Sequence, residues 1–244
     1  MCSVMACSTC SPPSSQAQHW QKTVDEMTAL TRHLEVPDNL METEAVRTGE
    51  EFDVNEYFTV LTHLSPEAGY VLDYVYEYDF MGGYPIIYAR PEEEIPYATI
   101  SEYHEAEGSV LSGAYLENIR VDGTAGGFFE LVIFAIYGEK FYLWWHANYN
   151  DLTVVCSRGA IEAAIAEDDV FGNPLTIPQW KKVLGVDFKP WVEFESTTVR
   201  VRVVTFTKWG GLFEEIYTIS RDFPHKILGR ERKELVPYDC GIVF

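Results

Sequence analysis

The sequence lacks the features that mark several large classes of protein. No apolar run approaches the roughly 20 residues that a membrane-spanning helix needs, which argues against an integral membrane protein. Basic residues are scarce, with 18 Lys and Arg against 38 Asp and Glu and a net charge of −20. A protein that binds nucleic acid through its phosphates needs the opposite charge. The sequence therefore predicts no nucleic acid partner.

The motifs of the common enzyme classes are also missing. The sequence has no G-x-x-x-x-G-K-[ST] loop, no G-x-G-x-x-G after a strand, no H-E-x-x-H and no G-x-S-x-G. Its six histidines are scattered, and no two have the spacing of metal ligands on a helix. We expect no metal and no cofactor. A non-enzymatic protein is favoured, with an enzyme of scattered catalytic residues as the alternative.

Cysteine is sparse and unevenly placed, with five residues, three of them among the first ten. Cys7 and Cys10 have the C-x-x-C spacing, but no second pair of ligands follows, and a structural zinc site needs four. The stretch Val4-Met5-Ala6-Cys7 resembles the lipobox of bacterial lipoproteins, in which the cysteine is lipidated and a Ser/Pro-rich tether follows. That resemblance implies a lipid anchor at Cys7 and an envelope location. Otherwise we expect a cytoplasmic protein.

What is present is typical of a folded α+β protein. The composition is 47% hydrophobic and 14% aromatic, and aromatic residues favour strands. We expect a disordered tail over residues 1–15 and a single domain over 16–244, with a split near 150 as the alternative. The predicted architecture is a mainly antiparallel, twisted sheet of about seven to nine strands with helices packed on one face.

Apolar spacing and capping residues predict the helices. A first helix is expected over Gln16–Leu34, and a second from Asp53, where Glu56 completes a capping box. Further helices are expected over Ser157–Asp168 and over 176–185, where Thr176 precedes Pro178 in the first turn.

Two hairpins are predicted. Tyr70–Tyr78 alternates with period two and should pair with Tyr84–Ala89 through a turn at the neighbouring glycines. Phe128–Tyr137 is apolar without alternation, which predicts a strand buried on both faces that pairs with Phe141–Ala147. The remaining predicted strands are 152–156, 186–194, 197–206 and 212–220, followed by a less regular end over 226–244.

The uneven charge suggests a docking surface. Residues 1–120 carry 5 basic and 21 acidic residues, a net of −16, whereas 121–244 carry 13 and 17, a net of −4. We expect Glu92, Glu93 and Glu94 to form an exposed acidic loop, and Tyr74, Tyr76, Tyr78 and Trp145 to present rings to a partner. The predicted function is a non-enzymatic binder of a basic protein, of the neutralising or immunity type. Core packing is the alternative role for the rings.

Two other functions are carried as alternatives. One is an envelope-anchored lipoprotein that binds a ligand through surface aromatics. The other is a cysteine-dependent hydrolase or transferase, in which Cys156 lies at the start of a helix, His146 acts as base and Asp151 orients it. A helix N-terminus lowers a thiol pKa, but a cysteine that ends an apolar strand is also commonly a small core residue.

Overall fold

A computed structural model describes residues 15–108, 113–149, 152–166 and 173–241. The predicted tail, with Cys7, and the candidate orienting residue Asp151 lie outside these residues. Helices and antiparallel strands alternate along the described chain, so the predicted α+β class is confirmed.

Five α-helices occur among the described residues. They are α1 (Ser15–Thr31), α2 (Ile100–Glu107), α3 (Ala125–Tyr137), α4 (Arg158–Ala166) and α5 (Ile177–Val183). The apolar stripe predicted for α1 is buried at Trp20, Val24 and Met27. The helix predicted from Thr176 and Pro178 is present as α5. Thr176 and Gln179 form a reciprocal capping box at its start.

The second predicted helix is a 3₁₀ helix, Val54–Thr59, rather than an α-helix. The Asp53 carboxylate accepts the backbone N–H of Asn55, not that of the predicted capping-box residue Glu56. The Asn55 side chain in turn exchanges two hydrogen bonds with the backbone of Leu72. These bonds hold the segment against a neighbouring strand, which explains the tighter and shorter helix.

The hairpin predicted over Phe128–Tyr137 and Phe141–Ala147 is wrong, because the first segment is the buried helix α3. A continuous apolar run does not distinguish a doubly buried strand from a buried helix. Thr124 caps the start of α3 by accepting the N–H of Gly127, and Gly138 N–H bonds back to Phe134 O at its end. Gly138 is thus a helix terminus and not the expected hairpin turn.

The strands lie in three antiparallel sheets rather than in one. Their bounds are β1 (Leu64–Pro66), β2 (Tyr70–Asp79), β3 (Gly82–Pro91), β4 (Ile119–Val121), β5 (Trp144–Trp145), β6 (Thr153–Val154), β7 (Trp191–Phe194), β8 (Thr198–Thr207), β9 (Gly211–Ser220) and β10 (Ile227–Pro237). One sheet is β1–β4, a second has the order β2-β3-β5, and the third has the order β10-β9-β8-β6 with β7 also paired to β8. The predicted β2–β3 hairpin is confirmed. The end predicted to be irregular contains the long strand β10.

The main core surrounds α3. The ring of Trp20 stacks on Phe129 at 4.8 Å, and Tyr115 packs edge-on against Phe134. Val201 and Val203 of β8 belong to this core. Alternate residues of β8, including Val204 and Phe206, belong instead to a second cluster with α4 and α5. The third sheet therefore has helices against both of its faces.

Candidate functional site

The tyrosines expected on an exposed strand face are mostly core residues. Tyr74 and Tyr76 of β2 are 0% and 1% exposed, and Tyr78 is half-buried. The Tyr74 ring lies edge-on to Phe141 at 4.9 Å, and the Tyr76 hydroxyl donates to the backbone carbonyl of Tyr142, the next residue. The expectation that Tyr74 and Tyr76 contact a partner is thus corrected: both side chains are buried against the segment that follows α3.

An exposed apolar surface lies instead at the tip of the β2–β3 hairpin. It consists of Phe80, Met81, Tyr84, Trp144 and Trp145, which we call the tip patch. Phe80 is 80% exposed and Trp145 is 54% exposed. Trp145 was predicted to contact a partner, and its exposure leaves it available to do so. The two tryptophans are brought to the hairpin because β5 pairs with β3, Trp145 opposite Gly82 and Trp144 opposite Gly83.

The local geometry of the tip depends on a glycine and an aspartate. Phe80 and Met81 form a two-residue loop between Asp79 and Gly82. The Asp79 carboxylate accepts the N–H groups of Met81 and Gly82 and so fixes the loop. Gly82 has a φ of 150°, and a Cβ there would lie 2.7 Å from the Trp144 carbonyl oxygen. Only glycine allows β5 to approach closely enough to place its tryptophans beside the loop.

The tip patch has an acidic margin. Glu77 of β2 accepts a hydrogen bond from the Tyr84 hydroxyl at 2.7 Å. Burial and the bond to Glu77 together raise the pKa of Tyr84 to about 12, so the phenol stays neutral and donates to Glu77. With Asp79, this gives two carboxylates next to the exposed rings.

The predicted acidic loop, Glu92–Glu94, is exposed but lies far from the tip patch. Glu92 follows Gly83 by nine residues, which is about 30 Å along an extended strand. The Arg90 guanidinium holds this loop by donating to the backbone carbonyls of Glu92 and Glu94, while its Nε bonds to Asp73. Arg90 therefore holds this loop through backbone carbonyls and not through the three carboxylates.

Cys156, the nucleophile of the predicted cysteine site, does not have the properties of a reactive thiol. Cys156 is 2% exposed, and burial, with a smaller effect from Asp25, raises the pKa of its thiol. A catalytic thiol needs a lowered pKa and access to substrate. His146 follows Trp145 in a 3₁₀ turn, with its ring 4.8 Å from the indole. That places His146 next to the tip patch.

A cluster of titratable groups that the sequence analysis missed joins the β1–β4 sheet to α3. His63 Nδ1 lies 2.7 Å from Asp122 Oδ2, and the His63 backbone N–H donates to Glu130 at 2.8 Å. The bond to Asp122 raises the pKa of His63, and burial raises that of Glu130 to about 7. The sequence offered no signal for this cluster, because Glu130 was assigned to a strand.

A second feature that the sequence did not reveal is an open cleft between α1 and α4. Its volume is about 560 Å³, and a shallower extension of about 280 Å³ shares Thr28, Arg32, Tyr137 and Thr153 with it. Side chains of α1 form one wall, and the glycine and alanines of α4 form the other. The floor is apolar and includes Val24 and Val154.

Comparison with known proteins adds no assignment, since no family model, curated protein or solved structure matches this chain. Within the part of the chain that the structure describes, no three His, Cys, Asp or Glu side chains are grouped so that they could hold a metal ion. None of the helices in those same residues is both long enough and apolar enough to cross a membrane.

Proposed function

We propose that this chain is a non-enzymatic interaction module that binds a basic protein through the tip patch. The observation that carries the proposal is the grouping of five large apolar side chains, all exposed, on one small hairpin tip. Single exposed apolar residues are ordinary, but several of them close together on one element favour an interaction site. Tryptophan and tyrosine are also the residues that most often dominate binding energy.

The charge around the patch supports a basic partner. Glu77 and Asp79 lie beside the rings, and the first 120 residues carry a net charge of −16. Complementary charge raises the rate of association and selects among partners more than it sets affinity. A binder that neutralises a basic protein, as an immunity-type protein would, fits this combination of apolar contacts and acidic margin.

The two acidic regions have different roles in this proposal. The tip patch makes the contact, so its loss should shorten the lifetime of the complex. The Glu92–Glu94 loop lies about 30 Å away along the hairpin and attracts the partner before contact. Its loss should therefore lower the association rate, most strongly at low salt.

A peptide selection tests the proposal without a known partner. A displayed library of random 12-residue peptides is selected on the immobilised full chain at low salt. We expect the enriched peptides to combine Lys or Arg with aliphatic or aromatic residues, and to lose binding to a Trp145→Ala variant. Ile177→Ala is the matched control, because Ile177 is 74% exposed on α5, away from the tip.

Two further measurements sharpen the result. For an enriched peptide, Phe80→Ala should raise the dissociation rate about tenfold or more, which is about 1.4 kcal/mol. Neutralising the Glu92–Glu94 loop should slow association and leave dissociation unchanged. Peptides without net positive charge, or peptides that bind Trp145→Ala as well as the unmodified chain, would contradict the proposal. Self-association that Trp145→Ala abolishes would assign the patch to a second copy instead.

A further inference from the structure

We infer that the outer edge of β10 binds a second copy of this chain, which adds its own β10 as an antiparallel strand. Among the strands that the structure describes, β10 lies at the end of the third sheet and pairs only with β9. Its residues Leu228–Glu234 are all exposed. The outer edge of such a strand presents backbone N–H and C=O groups to which another strand can bond. This edge belongs to a different sheet from the tip patch, so the inference does not depend on the proposed function.

Antiparallel pairing restricts which residues of the two copies can lie opposite each other. Along a regular edge strand, the N–H and C=O groups of alternate residues point outward, and opposite residues of an antiparallel pair must point the same way. β10 is regular against β9 from Gly229 to Glu234, with register shifts on either side. An even-numbered residue in this stretch can thus face only an even-numbered residue of the other copy. One residue of each copy then lies on the twofold axis of the pair.

The charges of β10 favour one of the registers that remain. With Arg232 on the twofold axis, Glu231 lies opposite Lys233 of the second copy, and Arg230 lies opposite its Glu234. Symmetry repeats both opposite-charge pairs on the other side of the axis. Moving the axis to Glu231 places Arg230 opposite Arg232, and moving it to Lys233 places Lys233 opposite itself. Because opposite charges across strands stabilise a sheet and like charges destabilise it, the register centred on Arg232 is selected.

The like charge on the twofold axis is compensated within each copy. The Arg232 guanidinium lies 3.6 Å from the centroid of the Phe213 ring and 3.6 Å from the Glu215 carboxylate, so it is held against β9. Arg230 donates to the same carboxylate through Nε and Nη2, and a guanidinium has five N–H donors. Arg230 can therefore keep its bonds to Glu215 and also donate to Glu234 of a second copy.

The same charges limit the assembly to two copies of this chain. Charged side chains on an edge strand oppose pairing with unrelated strands, whereas a second β10 supplies the complementary order of charges. A twofold contact uses the edge of each copy once, so it closes at a dimer. The paired stretch is short, and each copy carries a net charge of −20. We therefore expect a weak dimer, with a dissociation constant of about 0.1 mM.

Sedimentation equilibrium of the full chain from about 10 µM to about 1 mM, in about 150 mM salt, tests the inference. We expect the mass to rise from one copy towards two and no further. Amide exchange at alternate residues of β10 should slow as the concentration rises, because their N–H groups become bonded. Trp145→Ala should leave the dimer intact, which separates this contact from self-association through the tip patch. A chain that stays monomeric at about 1 mM, or one that forms larger oligomers, would overturn the inference.

Charge reversal tests the register. Glu231→Lys and Lys233→Glu each place like charges opposite each other, so each variant alone should dimerise about tenfold more weakly. A mixture of the two should form a heterodimer about as strong as the unmodified dimer, because both pairs regain opposite charges. The matched controls Glu93→Lys and Lys189→Glu make the same changes of net charge at exposed residues outside β10 and should dimerise like the unmodified chain. Circular dichroism melts confirm that each variant folds. Single variants that dimerise normally, or a mixture that forms no heterodimer, would refute the inference.

Discussion

At the scale of single residues, the buried acids differ in how their charge is compensated. Asp73 lies between Arg47 and Arg90, and Glu215 accepts two hydrogen bonds from Arg230. Arginine remains charged at any accessible pH, so both acids have a permanent counter-charge. Glu130 is also buried, and within the described residues its carboxylate accepts the N–H of His63 and has the imidazole Nε2 3.9 Å away. Burial raises the pKa of Glu130, so its ionisation costs folding free energy.

This difference predicts that Glu130→Gln stabilises the protein at alkaline pH. The pKa of Glu130 is raised from 4.5 to about 7, so the folded state holds the proton more tightly than the unfolded state. Stability from this group is complete below pH 4.5 and is lost as the pH rises towards 7. The full loss corresponds to roughly 3 kcal/mol. Glutamine keeps the acceptor for His63 N–H and carries no charge to bury.

Urea unfolding of both proteins across this pH range measures the effect. The gain in unfolding free energy of Glu130→Gln should be near zero at pH 4.5 and should approach roughly 3 kcal/mol at pH 8. The pKa of His63 is also raised, so the stability that His63 contributes to the fold is likewise lost as the pH rises. Glu93→Gln, on the exposed loop, should give no such gain. If the difference in unfolding free energy between the two proteins were the same at all pH values, the charge of Glu130 would be compensated in the folded state.

At the scale of elements, the sequence predicted a segment correctly where its residue pattern is compatible with only one kind of secondary structure. The strict alternation of β2 and the glycines after it left only a hairpin. The apolar run of α3 was compatible with two structures, and its real signals were the capping Thr124 and the terminal Gly138. Burial of Tyr74 and Tyr76 was not predictable from β2 alone, because alternation shows that two faces differ but not what covers each.

The packing of α3 predicts that Gly138→Ala is strongly destabilising. A Cβ at Gly138 would clash with the Tyr115 hydroxyl and would lie 2.7 Å from the Phe134 carbonyl oxygen. Both groups are held in the core, so the methyl group must displace packed atoms at a cost of about 1 to 3 kcal/mol. The φ of Gly138 is −55°, so the expected cost is steric and not a matter of backbone strain.

Gly159→Ala in α4 is the matched control for this prediction. A Cβ there would meet nothing closer than 3.9 Å, and alanine favours a helix over glycine by up to about 1 kcal/mol. Denaturant midpoints should therefore move in opposite directions for the two variants. If Gly138→Ala were as stable as the unmodified chain, α3 would not end against Tyr115 as described.

At the scale of the whole molecule, the net charge of −20 acts on stability as well as on binding. Like charges repel most when the chain is compact, so an excess of one sign destabilises the folded state. The excess is concentrated in the first 120 residues, which hold 21 of the 38 acidic residues but only 5 of the 18 basic ones. The sequence predicted this imbalance directly, because charge counts need no fold. It did not predict that the acidic loop and the exposed rings lie at opposite ends of one hairpin.

Screening of this repulsion should make the protein more stable as salt rises. Between about 20 and 500 mM sodium chloride the screening length falls from roughly 20 to 4 Å, and a gain of about 1 kcal/mol would raise the melting temperature by about 2 to 4 °C. Changing Glu92, Glu93 and Glu94 together to Gln lowers the net charge from −20 to −17. The loop should survive, because Arg90 bonds to its carbonyls and not to its carboxylates. This triple variant should melt higher than the unmodified chain at low salt and should respond less to added salt. Equal salt responses would mean that these carboxylates lie too far from other charge to contribute to the repulsion.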